Sequence, residues 1–149
     1  MGLSTYLRAT NYMSDFLDKD TYQRVRDALE DVIPLDIGGR HNATANIEVT
    51  IPIATWHRAQ AVDSFLWNLA GNPERDEYEL DLDRTDLEDA ILRARRIATD
   101  PELASGLEYG SDDPEEWISE QFLRLERALT DFLLDDKLKT WTLKVWRSY

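Results

Sequence analysis

Four polar residues cluster where an alternating apolar pattern gives way to a helical one: His57, Arg58, Gln60 and Asp63. A helix start presents unpaired backbone N–H groups to anions, and Arg58 adds positive charge. On a helix, Gln60 and Asp63 share a face, with His57 one turn before Gln60. The set suits the phosphate of a nucleotide or a phosphorylated metabolite, although no glycine-rich loop accompanies it. The same residues also fit a plain exposed helix face with i,i+3 pairs. A second set is Glu77, Glu79, Asp81 and Asp83, alternate residues of one strand and so ~7 Å apart on one face. Phosphates of a DNA strand repeat at a similar distance, and Asp86, Glu88 and Asp89 follow closely. The run therefore has the spacing of a nucleic acid mimic. It is also the charge that an edge strand uses to resist aggregation, and only weakly a Mg²⁺ site. Trp146 and Tyr149 near the end of the chain fit either an exposed aromatic patch suited to a partner surface or plain packing.

Other chemistry is absent from the sequence. His41 and His57 are the only two histidines, and no zinc-ligand spacing includes them. There is no nucleophile elbow, Walker loop or dinucleotide-binding fingerprint. Gly38-Gly39-Arg40-His41 has the composition of a loop that could bind phosphate, but such a stretch is more often simply a turn. No catalytic residue, metal ligand or cofactor is assigned, and the reading favours a binding protein over an enzyme.

These residues must be held by regular elements. Leu3, Thr5 and Leu7 alternate with Ser4, Tyr6 and Arg8, predicting a strand over Leu3–Ala9. A helix opens at Asp20-Thr21 with Gln23 as a capping-box partner, carries Tyr22, Val25, Leu29 and Val32 inward, and stops at Pro34. Residues 36–45 are loop. Ile47, Val49, Ile51 and Ile53 predict a half-buried strand, with Pro52 at an edge or end. Thr55 is the expected N-cap of a helix over Trp56–Ala70, its stripe Trp56, Ala59, Val62, Leu66 and Leu69, ended by Gly71.

Tyr78, Leu80 and Leu82 give the next strand. Thr85 and Glu88 form an expected capping box for a helix over Asp86–Ala98, lined by Leu87, Ile91, Ala94 and Ala98. A short helical turn follows Asp100-Pro101 to about Gly106, and Tyr109-Gly110-Ser111 is loop. Asp113 is the expected cap of the longest helix, opened by Pro114 and running to about Leu134. Lys139–Arg147 closes as a strand, with Trp141, Leu143 and Val145 on one face and Thr142, Lys144 and Trp146 on the other. The order is β-α-β-α-β-α-α-β. Half-polar strands favour an α+β fold: a single layer of mostly antiparallel or mixed sheet, about four strands, with helices on one face. The 149 residues fit a single domain spanning 1–149.

The net charge of −13, from 17 basic and 30 acidic residues, disfavours direct nucleic acid binding. It suits solubility or a basic partner. No apolar run approaches the roughly 20 residues that span a bilayer, so no membrane role is expected. The absence of cysteine fits a reducing cytosol, and the opening residues lack the plan of a signal peptide.

From Met1 to the terminal aromatics, the chain resembles a family of small bacteriophage and prophage proteins. Their usual opening is M-G-L-x-x-Y-L, matched by Gly2, Leu3, Tyr6 and Leu7. Their central block, close to W-R-K-A-N-x-I-H-x-W-F, is matched at Trp56, Ala59 and Val62, with Arg58 for Lys. Gln60 stands for the family Asn, Asp63 for its His, and Phe65-Leu66 for its W-F pair. Glu77-Tyr78-Glu79-Leu80, Gly110-Ser111 with Glu116-Trp117, and Trp146-Arg147-Ser148-Tyr149 resemble later family segments. The resemblance implies an accessory protein acting in the cytoplasm of an infected bacterium by binding a host or anti-phage defence protein. On that reading the contacts are Glu77, Glu79, Asp81, Asp83, Trp146 and Tyr149. The alternative is a nucleotide- or phosphometabolite-binding module, or small enzyme, using His57, Arg58, Gln60 and Asp63. A homo-oligomer with a structural role is a third option.

Overall fold

The computed structural model describes residues 3–14, 16, 18–33, 46–71, 78–107 and 113–148. Strands β1 (Ser4–Met13), β2 (Ile47–His57), β3 (Glu79–Leu82) and β4 (Thr142–Ser148) form one antiparallel sheet in the order β2-β1-β4-β3. Helices α1 (Lys19–Leu29), α2 (Gln60–Leu69), α3 (Leu87–Thr99) and α4 (Glu115–Leu134) complete an α+β fold, with short 3₁₀ turns at 84–86, 101–106 and 136–138. Strands and helices follow one another in the order expected from the sequence. The chain divides into two compact units, one of residues 1–9 and 51–149, the other of residues 10–50.

In the larger unit, strand alternation decides which side chains meet the helices. Thr5, Leu7 and Ala9 of β1, Leu80 and Leu82 of β3, and Leu143, Val145 and Arg147 of β4 are buried. Their apolar members share one core with Val62, Phe65 and Leu66 of α2, Leu87, Ala90 and Ala94 of α3, and Phe122, Leu125 and Leu129 of α4. Phe65 and Phe122 meet edge to face at 5.5 Å, a favourable arrangement of ring quadrupoles. Arg95 Nε reaches Glu126 Oε1 at 2.7 Å, from α3 to α4. The intervening strand residues, Ser4, Tyr6, Arg8, Glu79, Asp81, Lys144 and Trp146, occupy the opposite face of the sheet and are half-buried or exposed. In the smaller unit, α1 buries Tyr22, while Val25 and Leu29 are half-buried.

Several local expectations are corrected. The first strand continues past Ala9 to Met13. Asp18, not Asp20, caps α1, accepting from the Thr21 amide at 3.2 Å; Gln23 instead donates to Asp27. Val32 lies beyond the helix and is exposed. Thr55 is no N-cap, because β2 runs on through Trp56 and His57 and α2 starts at Gln60. The break between them is Arg58, which adopts a left-handed φ of 55° and donates its amide to the Leu3 carbonyl at 2.7 Å. The side chains of β2 do not keep one phase: Ile47 and Trp56, of opposite parity, are both buried, and Ile51 is exposed. Pro52 sits in a strand at the sheet edge, where a missing N–H costs least.

Asp83, rather than the Thr85–Glu88 box, caps the turn before α3. The last strand begins at Thr142, after a 3₁₀ turn at 136–138 capped by Asp135. Gly71, with φ of 92°, ends α2 as expected, in a conformation that glycine enters without a Cβ penalty. The loops at 36–45 and 109–111 and the stop at Pro34 lie outside the described residues.

Arg58 is the backbone position most exposed to a test. Glycine adopts φ > 0 freely, whereas a β-branched residue is strained there. Arg58→Gly should leave thermal stability unchanged or raised, and Arg58→Val should lower it by about 1–2 kcal/mol. Equal melting temperatures for the two variants would contradict the left-handed assignment.

Candidate functional site

Asp63 and Arg147 form a buried ion pair in the larger unit, with relative exposures of 6% and 8%. Arg147 donates from Nη2 to Asp63 Oδ2 at 2.6 Å and from Nε to Oδ1 at 3.1 Å. This two-pronged geometry is the strongest form of charge-assisted hydrogen bond. Thr5 Oγ1 donates to the same Oδ1 at 2.9 Å. The guanidinium carbon lies 3.4 Å from the ring centroid of the buried Trp67. Thus β1, α2 and β4 are joined through one carboxylate. Residues 61–67 of α2 are all buried, so an acidic residue there needs such a partner. The sequence placed Asp63 on a polar helix face; the structure places it inside.

The N-terminus of α2 is served from a distance. Ala59 stands at its N-cap and offers no side-chain oxygen. Asp113 Oδ2 accepts instead from the Ala61 amide at 3.3 Å, and the residue at the α4 N-cap is Pro114, which offers no side-chain hydrogen bond. A carboxylate therefore already occupies the position that a phosphate would take. His57 is exposed at the end of β2 and its Nδ1 is hydrogen-bonded to Ser4 Oγ at 2.9 Å; Arg58 and Gln60 are exposed. The four residues of the expected ligand set are divided between an exposed rim and a buried pair.

The second predicted set comes together differently. Glu79 pairs in register with Trp146, and Asp81 with Lys144, so the acidic strand and the C-terminal aromatic share the outer face of the sheet. Lys144 Nζ lies 2.9 Å from Glu79 Oε1 and 3.4 Å from Asp81 Oδ1. The Lys144 pKa is raised, chiefly by the hydrogen bond to Glu79 and against the pull of burial. The stabilisation is fully present below the ordinary lysine value and is lost as pH climbs through the raised one. Asp83 is held below the ordinary carboxylate pKa by the Thr85 amide and hydroxyl, at 3.0 and 2.9 Å. It serves the turn rather than the face. Glu77 and Tyr149 lie outside the described residues.

Beside Trp146 on this face are two residues that sequence reading did not select. The Tyr6 and Trp146 rings are 4.8 Å apart and tilted by 44°. The Arg8 guanidinium lies 4.7 Å from the Trp146 centroid and 5.2 Å from that of Tyr6. Alternation put Tyr6 and Arg8 on the outer face of β1, but only the strand order reveals that β4 is their neighbour.

No group of three or more metal-ligating side chains is gathered among the described residues, and no described helix is long and apolar enough to cross a membrane. In comparisons with known proteins, no family model, no curated protein and no solved structure matches the chain.

The buried pair makes a sharp prediction. Removing one partner strands the other charge in the core, typically at about 3–5 kcal/mol. Asp63→Ala and Arg147→Ala should each lose about that much in urea denaturation. The double variant Asp63→Leu/Arg147→Met should be more stable than either. A double variant less stable than both single variants would show that the two charges do not depend on each other.

Proposed function

We propose that this is a binding protein whose working surface is the outer face of the sheet around Trp146. Following the family resemblance, the partner is a bacterial host or anti-phage defence protein, met in the cytoplasm of an infected cell. The observation that supports the reading most is the register of β3 on β4, which sets Glu79 beside Trp146. Two features far apart in sequence, an acidic strand and an aromatic terminus, thereby form one surface with Tyr6 and Arg8. Aromatic and arginine side chains of this kind carry most of the energy at protein interfaces.

The surface is not a bare acidic strip. Lys144 offsets Glu79 and Asp81, so recognition rests on an aromatic centre with ionic margins rather than on mimicry of a phosphate row. The nucleotide-binding alternative has less support, since Asp63 is bound to Arg147 and the α2 N-terminus to Asp113.

Tagged protein should retain one stoichiometric partner from a lysate of the bacterial host. Trp146→Ala, and separately Glu79→Lys/Asp81→Lys, should weaken the purified pair about tenfold or more. Undiminished affinity in both variants would move the interface off this face.

A further inference from the structure

Resting on the sheet-face reading, the inference concerns what the partner presents there. Arg8 is the informative residue. The residue is half-buried, its guanidinium lies over two aromatic rings, and among the described residues no oxygen accepts from it. The other arginines of the same unit that are not exposed have acceptors, Arg147 in Asp63 and Arg84 in the carbonyls of Leu138 and Trp141, whereas Arg93, which also lies over a ring, is exposed to solvent. A cation–π contact fixes a guanidinium by charge and stacking yet leaves its N–H donors for an acceptor. The chain carries 30 carboxylates, and Arg8 is held by rings instead.

We infer that Arg8 is a preformed receptor for a carboxylate of the protein partner, seated beside an apolar side chain that covers Trp146 and Tyr6. The planar guanidinium fork matches a carboxylate through two parallel hydrogen bonds. With a net charge of −13, the chain repels a doubly charged phosphate more than a singly charged carboxylate. The same field opposes a second copy of this chain as the occupant. Strand order places β4 between β1 and β3, so Arg8 and the Glu79–Asp81 pair flank Trp146, about two strand spacings or ~10 Å apart. The complementary partner segment therefore carries an acidic residue and a basic one on either side of an apolar one.

The test is an NMR titration of the full-length ¹⁵N-labelled protein, reading Arg8 Nε–H and Trp146 Nε1–H. The probes are 3-phenylpropionate, its uncharged analogue 3-phenylpropionamide, and inorganic phosphate. The carboxylate should give saturable shifts at both groups, and the amide should bind about tenfold more weakly. Arg8→Gln should abolish this preference and Arg8→Lys should retain part of it, with the remaining spectrum unchanged as proof of folding. Equal binding of carboxylate and amide at Trp146 would overturn the role of Arg8 while leaving the face as a binding surface. Tighter binding of phosphate would overturn the choice of anion. Absence of shifts at both groups with every probe would overturn the receptor altogether.

Discussion

The ion pair between Asp63 and Arg147 sets the constraint on which the rest of the larger unit depends. Strand side chains alternate, so a slip of one residue would exchange the two faces of β4. Burying Arg147 against Asp63 and Trp67 forces its neighbour Trp146 outward, beside Tyr6. A purely apolar contact would tolerate more slippage, because it lacks direction. A two-pronged pair with a third bond from Thr5 does not. The internal charges thus reinforce the face that the buried Leu143 and Val145 already select for β4. That role, register rather than raw stability, is the best-attested use of buried ion pairs.

On the outer face, charge is arranged in balance rather than in excess. Lys144 lies across from Asp81 and reaches Glu79, so the acidic strand is tied to the sheet by its own cation. Arg8 is stacked on Tyr6 and Trp146. The result is a surface with an aromatic centre and opposite charges at its margins, a pattern that favours specificity over indiscriminate attraction. The large negative charge of the whole chain then acts at longer range, on encounter rather than on fit.

The fold was largely legible in the sequence because its signals are local. Alternation in residues 3–9, 78–82 and 141–147 and the stripes of α3 and α4 gave the elements, their order and the one-sided sheet. Errors fell where a tertiary partner overrode a local cue. Thr55 has the composition of a cap, but the strand pairing of β2 persists until Arg58 turns left-handed. Asp113 stands just before α4 in the sequence, yet its carboxylate also serves the distant start of α2. Asp63 reads as exposed because its counter-ion is 84 residues away. The candidate site was legible in pieces: Glu79, Asp81 and Trp146 were named from the sequence, whereas Tyr6, Arg8 and Lys144 join them through a strand order that no local pattern encodes.

The central claim is that the outer sheet face is the working surface. The most direct measurement is carbene footprinting of the purified protein, with and without a bacterial lysate, read by mass spectrometry. Protection confined to residues 4–8, 79–83 and 142–148, with Trp146 at its centre, is the predicted result. Protection centred on the exposed sides of α3 and α4, or no protection of the sheet residues, would contradict the account.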